Sequence, residues 1–154
     1  MVIERTESDK AQQSGADSLK ILLVEDHADT RRYLGLFLRQ SGHTVREAGS
    51  IDEALELLHE GGCDVLISDI GLPDGTGWDL LEKVPGDDPV FAIAMSGYSL
   101  GADREKSRRV GFREHLVKPF DLDELEGILK DVTAGSNEGV VEDEDEDADE
   151  DADG

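Results

Sequence analysis

At 154 residues the chain has the length of one domain, and its 37% hydrophobic content suffices for one core. Its 38 acids against 15 bases give a net charge of −23, which argues against direct binding to a phosphate backbone. The single cysteine, Cys63, excludes a disulfide framework and a cysteine metal cluster, and no stretch approaches the ~18 apolar residues of a membrane span.

The first residues, 1–18, read as a flexible lead-in, polar and without the apolar run of a signal peptide. From Leu19 onward short apolar runs alternate with amphipathic stretches, the rhythm of β-α units and a parallel sheet. Residues 19–24 predict a strand covered on both faces. Ala28–Gln40 predicts a helix, with Tyr33, Leu34, Phe37 and Leu38 at helical spacing and Gly42 ending it. Residues 44–47 predict a weaker strand.

Ile51–His59 predicts a second helix through Ile51, Ala54, Leu55 and Leu58, stopped by Gly61 and Gly62. Residues 64–69 predict the third strand, and a loop over 71–77 leads into a short helix at 78–84. Residues 90–95 predict the fourth strand. The helix at 99–110 is mostly polar with few apolar anchors, so it is expected to be the least firmly docked. Residues 114–117 predict the fifth strand, and 121–132 the fifth helix, with Leu122, Leu125, Ile128 and Leu129 inward.

These elements set the ordered domain at 19–133, leaving 134–154 as an acidic tail. Residues 138–154 hold eleven acids and no base, so residues 1–137 keep 27 acids against 15 bases, or −12. A like-charge block without apolar residues cannot offset its ordering entropy and is expected to be disordered. A salt-adapted source would explain the acid excess equally well. The four histidines (His27, His43, His59 and His115) show no metal-ligand spacing, and a reducing cytoplasm is the expected compartment.

Four polar stations fall at the carboxyl ends of predicted strands. Glu25 and Asp26 follow the first strand, Asp69 ends the third, Ser96 follows the fourth, and Lys118 with Pro119 follows the fifth. In an open parallel sheet, ligands bind in the crevice outside those ends. Each station alone is ordinary: an acid after a strand usually caps the next helix, Ser-Gly is a common turn, and Lys-Pro is a common strand exit. Together, three carboxylates, a hydroxyl and an ammonium read as a magnesium-assisted phosphoryl-acceptor site.

Asp69 is the expected nucleophile, since a carboxylate can attack phosphorus and form an acyl phosphate. Two unit charges ~4 Å apart cost about 4 kcal/mol at an effective dielectric near 20, so such a site needs a cation. Mg²⁺ takes oxygen ligands, usually one or two carboxylates with waters and phosphate oxygens. Asp26 and Asp69 fit that count, with Glu25 acting through water. Lys118 would meet the phosphoryl oxygens as a positive charge and Ser96 as a hydroxyl donor.

The succession Val24-Glu25-Asp26, then Ser68 to Gly77, then Ala94-Met95-Ser96-Gly97-Tyr98, then His115 to Phe120 resembles the receiver domain of two-component response regulators. The resemblance covers about residues 19–132. It implies a doubly wound, five-stranded parallel α/β sheet in the flavodoxin-like order 2-1-3-4-5, with helices on both faces. It also implies phosphorylation of Asp69 by the phosphohistidine of a sensor histidine kinase or a phosphotransfer protein. Glu25, Asp26, Asp69 and the carbonyl of Gly71 would bind Mg²⁺, Ser96 and Lys118 would hold the phosphoryl group, and the Lys118–Pro119 bond would be cis.

One residue departs from that pattern. Such domains usually carry Tyr or Phe three residues before the lysine, and here the residue is His115. Either the imidazole fills the same surface slot, or its protonation near neutral pH makes the switch with Ser96 pH-sensitive. Phosphorylation adds roughly −1.5 to −2 charges at one point. Ser96 is expected to move toward it, shifting the loop at 98–101, the fourth helix and His115.

The resemblance puts the output surface on helix four, strand five and helix five. There Arg104, Lys106, Arg108, Arg109 and Arg113 gather against only Asp103, Glu105 and Glu114. They are either a solvated helix face or a seat for the acidic tail, which would compete with an acidic target protein. No output domain is recognised after residue 133, so a single-domain regulator is expected, acting by protein contact or as a phosphorelay intermediate. An interaction module with a dead site is the second reading. An aspartate-nucleophile phosphohydrolase is the third, opposed by Gly71 where such an enzyme needs a second carboxylate, so the chain is not expected to be an enzyme. Tyr98 flanks the site, as Gly71 does, where such domains tune dephosphorylation.

Overall fold

The computed structural model of the protein describes residues 18–84, 90–97 and 101–138. The expected lead-in up to residue 17, Tyr98 and the acidic tail from residue 139 lie outside the described residues. The long strands are β1 (Lys20–Val24), β2 (Thr44–Ala48), β3 (Val65–Asp69), β4 (Phe91–Ser96) and β5 (Phe112–Val117). All pair in parallel, and the order across the sheet is β2-β1-β3-β4-β5. Helices α1 (Ala28–Gln40), α2 (Ile51–His59), α3 (Gly77–Glu82) and α4 (Gly101–Val110) follow the first four strands in turn. α5 (Leu122–Glu138) follows β5, in a second compact unit that begins at Phe120. This is a doubly wound α/β fold of flavodoxin-like order.

The apolar runs explain the layers. Side chains alternate across a strand, so one face of the sheet presents Leu22, Val24, Leu66, Ala92, Ala94 and Phe112. Those residues form a core with Ile51, Ala54 and Leu58 of α2 and Leu80 of α3. The intervening residues Ile21, Leu23, Ile67, Ile93 and Met95 turn to the opposite face and are also buried, while α1 buries Leu34 and Leu38. Each such leucine or isoleucine contributes about 1.5–3 kcal/mol through removal from water. In α5, Leu125 and Leu129 are buried, while Leu122 and Ile128 are half-buried.

The helix starts are capped by side chains. Ser50 Oγ accepts from the Glu53 amide at 3.2 Å, and Thr76 and Asp79 form a reciprocal capping box at the start of α3. Asp74 adds a second cap from the loop after β3, accepting from the amides of Ile51 at 2.9 Å and Asp52 at 3.2 Å. That contact ties the loop beside Asp69 to the start of α2. The loop also closes on itself through a short antiparallel pair, Gly71–Leu72 with Gly75–Thr76.

Several local expectations need correction. Tyr33 is exposed at 60%, because the inward stripe of α1 is Leu34, Gly35 and Leu38. Gly35 holds an inward position beside the Glu47 carboxylate, where a Cβ would collide, and a missing side chain leaves no mark in apolar periodicity. β5 begins two residues earlier than residue 114, because a register shift accommodates Arg113 without breaking the pairing. α5 continues past Val132 to Glu138, and no proline stands in that span to stop it. The polar α4 is anchored by a hydrogen bond that apolar spacing could not reveal. Its Ser107 is buried, and Oγ accepts from the Trp78 indole N–H at 2.9 Å. Lys106 Nζ lies 4.4 Å from the centre of the same indole ring.

Candidate functional site

The carboxyl ends of β1, β3 and β5 meet at one ammonium group. Lys118 Nζ donates to Oε1 of Glu25 at 2.6 Å and to Oδ2 of Asp69 at 3.0 Å. Glu25 is buried, and its second oxygen accepts from the His27 amide at 3.0 Å. The Glu25 carbonyl accepts from Arg31 of α1 at 2.8 Å, which fixes the turn between β1 and α1. Asp69 is 8% exposed, and Asp26 is open to solvent. One carboxylate oxygen from each of Glu25, Asp26 and Asp69 lies within 4.8 Å of the others.

The charges are unevenly settled. Burial pushes Glu25 upward, but the hydrogen bonds from Lys118 and the His27 amide outweigh it, holding Glu25 below the usual carboxylate range. Burial pushes Asp69 up to about 6; the bond from Lys118 opposes this and the charge of Glu25 adds to it. Burial alone would lower Lys118, yet its two carboxylate partners raise it, so the ammonium stays charged. One cation thus serves two buried anions, and the surplus negative charge rests on Asp69 and Asp26.

That surplus fits a divalent cation. The donors are hard carboxylate oxygens, and the oxygens of Glu25 already hold Lys118 and an amide, so Asp26 and Asp69 are the better placed direct ligands. Gly71, the other expected ligand, is exposed two residues beyond Asp69 and opens the short antiparallel pair. Close packing beside the acceptor is set by Gly77: an added Cβ there would lie 2.5 Å from the Asp69 carbonyl oxygen. The Gly77 amide donates to Ile70 at 2.8 Å, so α3 starts directly against the end of β3.

Ser96 ends β4, where its carbonyl accepts from the Lys118 amide at 2.7 Å. Its hydroxyl lies 2.9 Å from Nε2 of His115, a contact the sequence did not announce. Burial and the charge of Arg104 lower the pKa of His115, against a raising influence from Asp103. On balance the ring is held toward its neutral form. The Lys118–Pro119 bond is cis.

The five basic residues of the expected output surface are all exposed. Lys106 lies over Trp78, while Arg113 Cζ sits 4.9 Å from the Phe91 ring centre. The charge of Arg104 acts on His115.

The sequence profile of the response regulator receiver domain matches residues 21–130. The chain belongs to this family. Chemotaxis protein CheY from Pseudomonas aeruginosa is 34% identical over 106 residues, covering 66% of this chain and 86% of CheY. The two-component response regulator PhoP from the same organism is 32% identical over 112 residues, covering 72% of this chain and 50% of PhoP. The chain likewise spans about half the length of other curated relatives, 46% and 48% in two cases. Among solved structures, the non-phosphorylated HemR receiver domain from Leptospira biflexa superposes with a TM-score of 0.69 at 30% identity, over 75% of this chain and 94% of that one.

Receiver domains of two-component response regulators are phosphoryl acceptors that generally bind Mg²⁺ at an acidic pocket and interact with histidine kinases or phosphotransfer proteins. This receiver has such an acidic cluster in Glu25, Asp26 and Asp69. Among the described residues, no helix is long and apolar enough to cross a membrane.

Proposed function

We propose that this receiver takes a phosphoryl group on Asp69 from the phosphohistidine of a sensor histidine kinase or phosphotransfer protein. The observation that carries the reading is Lys118 bound between Glu25 and Asp69 at the end of three strands. An oxygen of Asp69 forms the new P–O bond as the P–N bond to the donor imidazole breaks, and the released imidazole takes up a proton. Lys118 then shifts its charge from carboxylate to phosphoryl oxygens, and Ser96 donates its hydroxyl to another. Mg²⁺, held by Asp26, Asp69 and the Gly71 carbonyl with Glu25 behind them, would supply the charge that lets two anions approach. No group beyond these is required, because transfer of this kind rests on positioning and charge stabilisation.

Movement of Ser96 toward the added charge, with His115 following, would alter the surface of α4 and β5 that meets a downstream protein. A phosphorelay role, with the group passed onward from Asp69, uses the same chemistry. The acidic surface argues against nucleic acid as a direct partner of these residues, and a reducing cytoplasm suits the lone thiol. Hydrolytic turnover of other phosphate esters is not part of the proposal, since Gly71 offers no acid or base.

Acetyl phosphate replaces the protein donor in a direct test. Intact mass should show one phosphoryl adduct that requires Mg²⁺ and disappears in Asp69→Asn. Wild-type protein without any adduct would favour an interaction module that keeps only the receiver shell.

A further inference from the structure

The register of β5 against β4 shifts at one point: Ala92 pairs with Phe112, but Ile93 pairs with Glu114. Arg113 is the extra residue. A bulge turns every later side chain by one position, so Phe112 and His115 share a face although they stand three apart. That is the face of Ala94 and Ser96. His115 pairs with Ala94, and its Nε2 reaches Ser96 Oγ at 2.9 Å. The other ring nitrogen, Nδ1, is buried and has no hydrogen-bond partner among the described residues.

A neutral imidazole carries one N–H, on one of its two nitrogens. On Nδ1 the proton would be a buried donor facing no acceptor, with the full desolvation penalty of an unmade bond. On Nε2 it is donated to Ser96 and only a lone pair is left at Nδ1. The charges acting on the ring are Arg104 and Asp103 of α4, and its contact on β4 is the uncharged Ser96.

The phosphoryl group imposes a second condition. Its oxygens at neutral pH accept hydrogen bonds, so Ser96 must bring a proton to them. A serine that spent its proton on Nε2 would have none to give. A serine that accepts from Nε2–H keeps its own O–H for the phosphoryl oxygen, and its rotor is narrowed to directions compatible with the histidine.

The geometry points to His115 as a positioning residue for phosphoryl transfer: its Nε2–H donates to Ser96 Oγ and aims the serine O–H at the phosphoryl oxygen on Asp69. This inference rests on the phosphoacceptor reading above. A phenyl ring at position 115 would fill the space without supplying the donor.

Two measurements on the full chain test it. Long-range ¹H–¹⁵N correlation of the labelled protein at pH 8 should show His115 as the Nε2–H tautomer; the Nδ1–H tautomer would overturn the inference. The rate of adduct formation from acetyl phosphate with Mg²⁺ should fall roughly 3- to 10-fold in His115→Phe, the worth of one neutral hydrogen bond. His115→Gln, whose amide N–H can replace the donor, should stay within about twofold of wild type. In a Ser96→Ala background, His115→Phe should add nothing. Equal slowing by Phe and Gln, or slowing that persists without Ser96, would overturn the inference while leaving the acceptor site intact. Absence of any adduct on the wild type would instead remove the phosphoacceptor reading, and this inference with it.

Discussion

The Lys118 ammonium lies 3.0 Å from Oδ2 of Asp69, a carboxylate 49 residues away in sequence and almost wholly buried. The same nitrogen is closer to Glu25, at 2.6 Å. Without a metal the ammonium is therefore shared, and Asp69 carries charge that nothing fully balances. This imbalance makes the site receptive to a cation and to phosphoryl chemistry, and it has a measurable cost.

Asp69→Asn should accordingly stabilise the metal-free protein. Removing one of two like charges near a single cation relieves a repulsion worth on the order of 1–2 kcal/mol at effective protein dielectrics. Urea unfolding at pH 7 with EDTA should give a higher midpoint for the variant. Added Mg²⁺ should raise the wild-type midpoint more than that of Asp69→Asn, because a ligand stabilises in proportion to its affinity for the folded state. Equal Mg²⁺ responses would mean that Asp69 is not a ligand.

Gly77→Ala should damage the site through packing alone. The added methyl group meets the Asp69 backbone, which is not the flexible end of a side chain. Relief requires α3 to move away from the end of β3, at a cost of about 1–3 kcal/mol. Thermal unfolding should register the loss, and phosphoryl acceptance from acetyl phosphate should slow with it. A variant with wild-type stability and rate would show that α3 is not held against β3 as described.

Trp78→Phe should loosen α4. The substitution leaves Ser107 Oγ buried without its donor, costing about 1–3 kcal/mol, and it weakens the seat of Lys106. Hydrogen exchange should quicken in α4 more than in β1 or β3. A uniform change, or none, would argue against a dedicated anchor.

Cys63 supplies a pH test remote from the site. Burial chiefly pushes its thiol up to about 11, and Sγ donates to the Val65 carbonyl at 3.3 Å. The folded protein therefore holds a proton that the unfolded chain releases near pH 9, so this group's contribution to stability is lost as pH rises from about 9 to 11. Iodoacetamide at pH 8.5 should modify the native protein far more slowly than the urea-unfolded chain. Comparable rates would contradict the burial of the thiol.

The parts legible in the sequence were those written in continuous apolar runs. β1 and β3 are buried on both faces and end where Glu25 and Asp69 begin the chemistry, so strand and station are legible together. Less was visible where a feature depends on a residue's silence or on a break in alternation. Gly35 takes an inward place without an apolar mark, whereas Tyr33 carries that mark and is exposed. Arg113 forms a bulge, and only that extra residue brings His115 to the side of Ser96. Ser107 anchors a helix through a hydrogen bond to Trp78, 29 residues earlier, and no local pattern records such a partner.

The most direct measurement is the chemical identity of the acceptor. After treatment with acetyl phosphate and Mg²⁺, borohydride reduces an aspartyl phosphate to homoserine, and peptide mass spectrometry locates it. The account predicts homoserine at position 69 alone, absent when Mg²⁺ is withheld. Homoserine at another acid, or an adduct that resists borohydride, would contradict it.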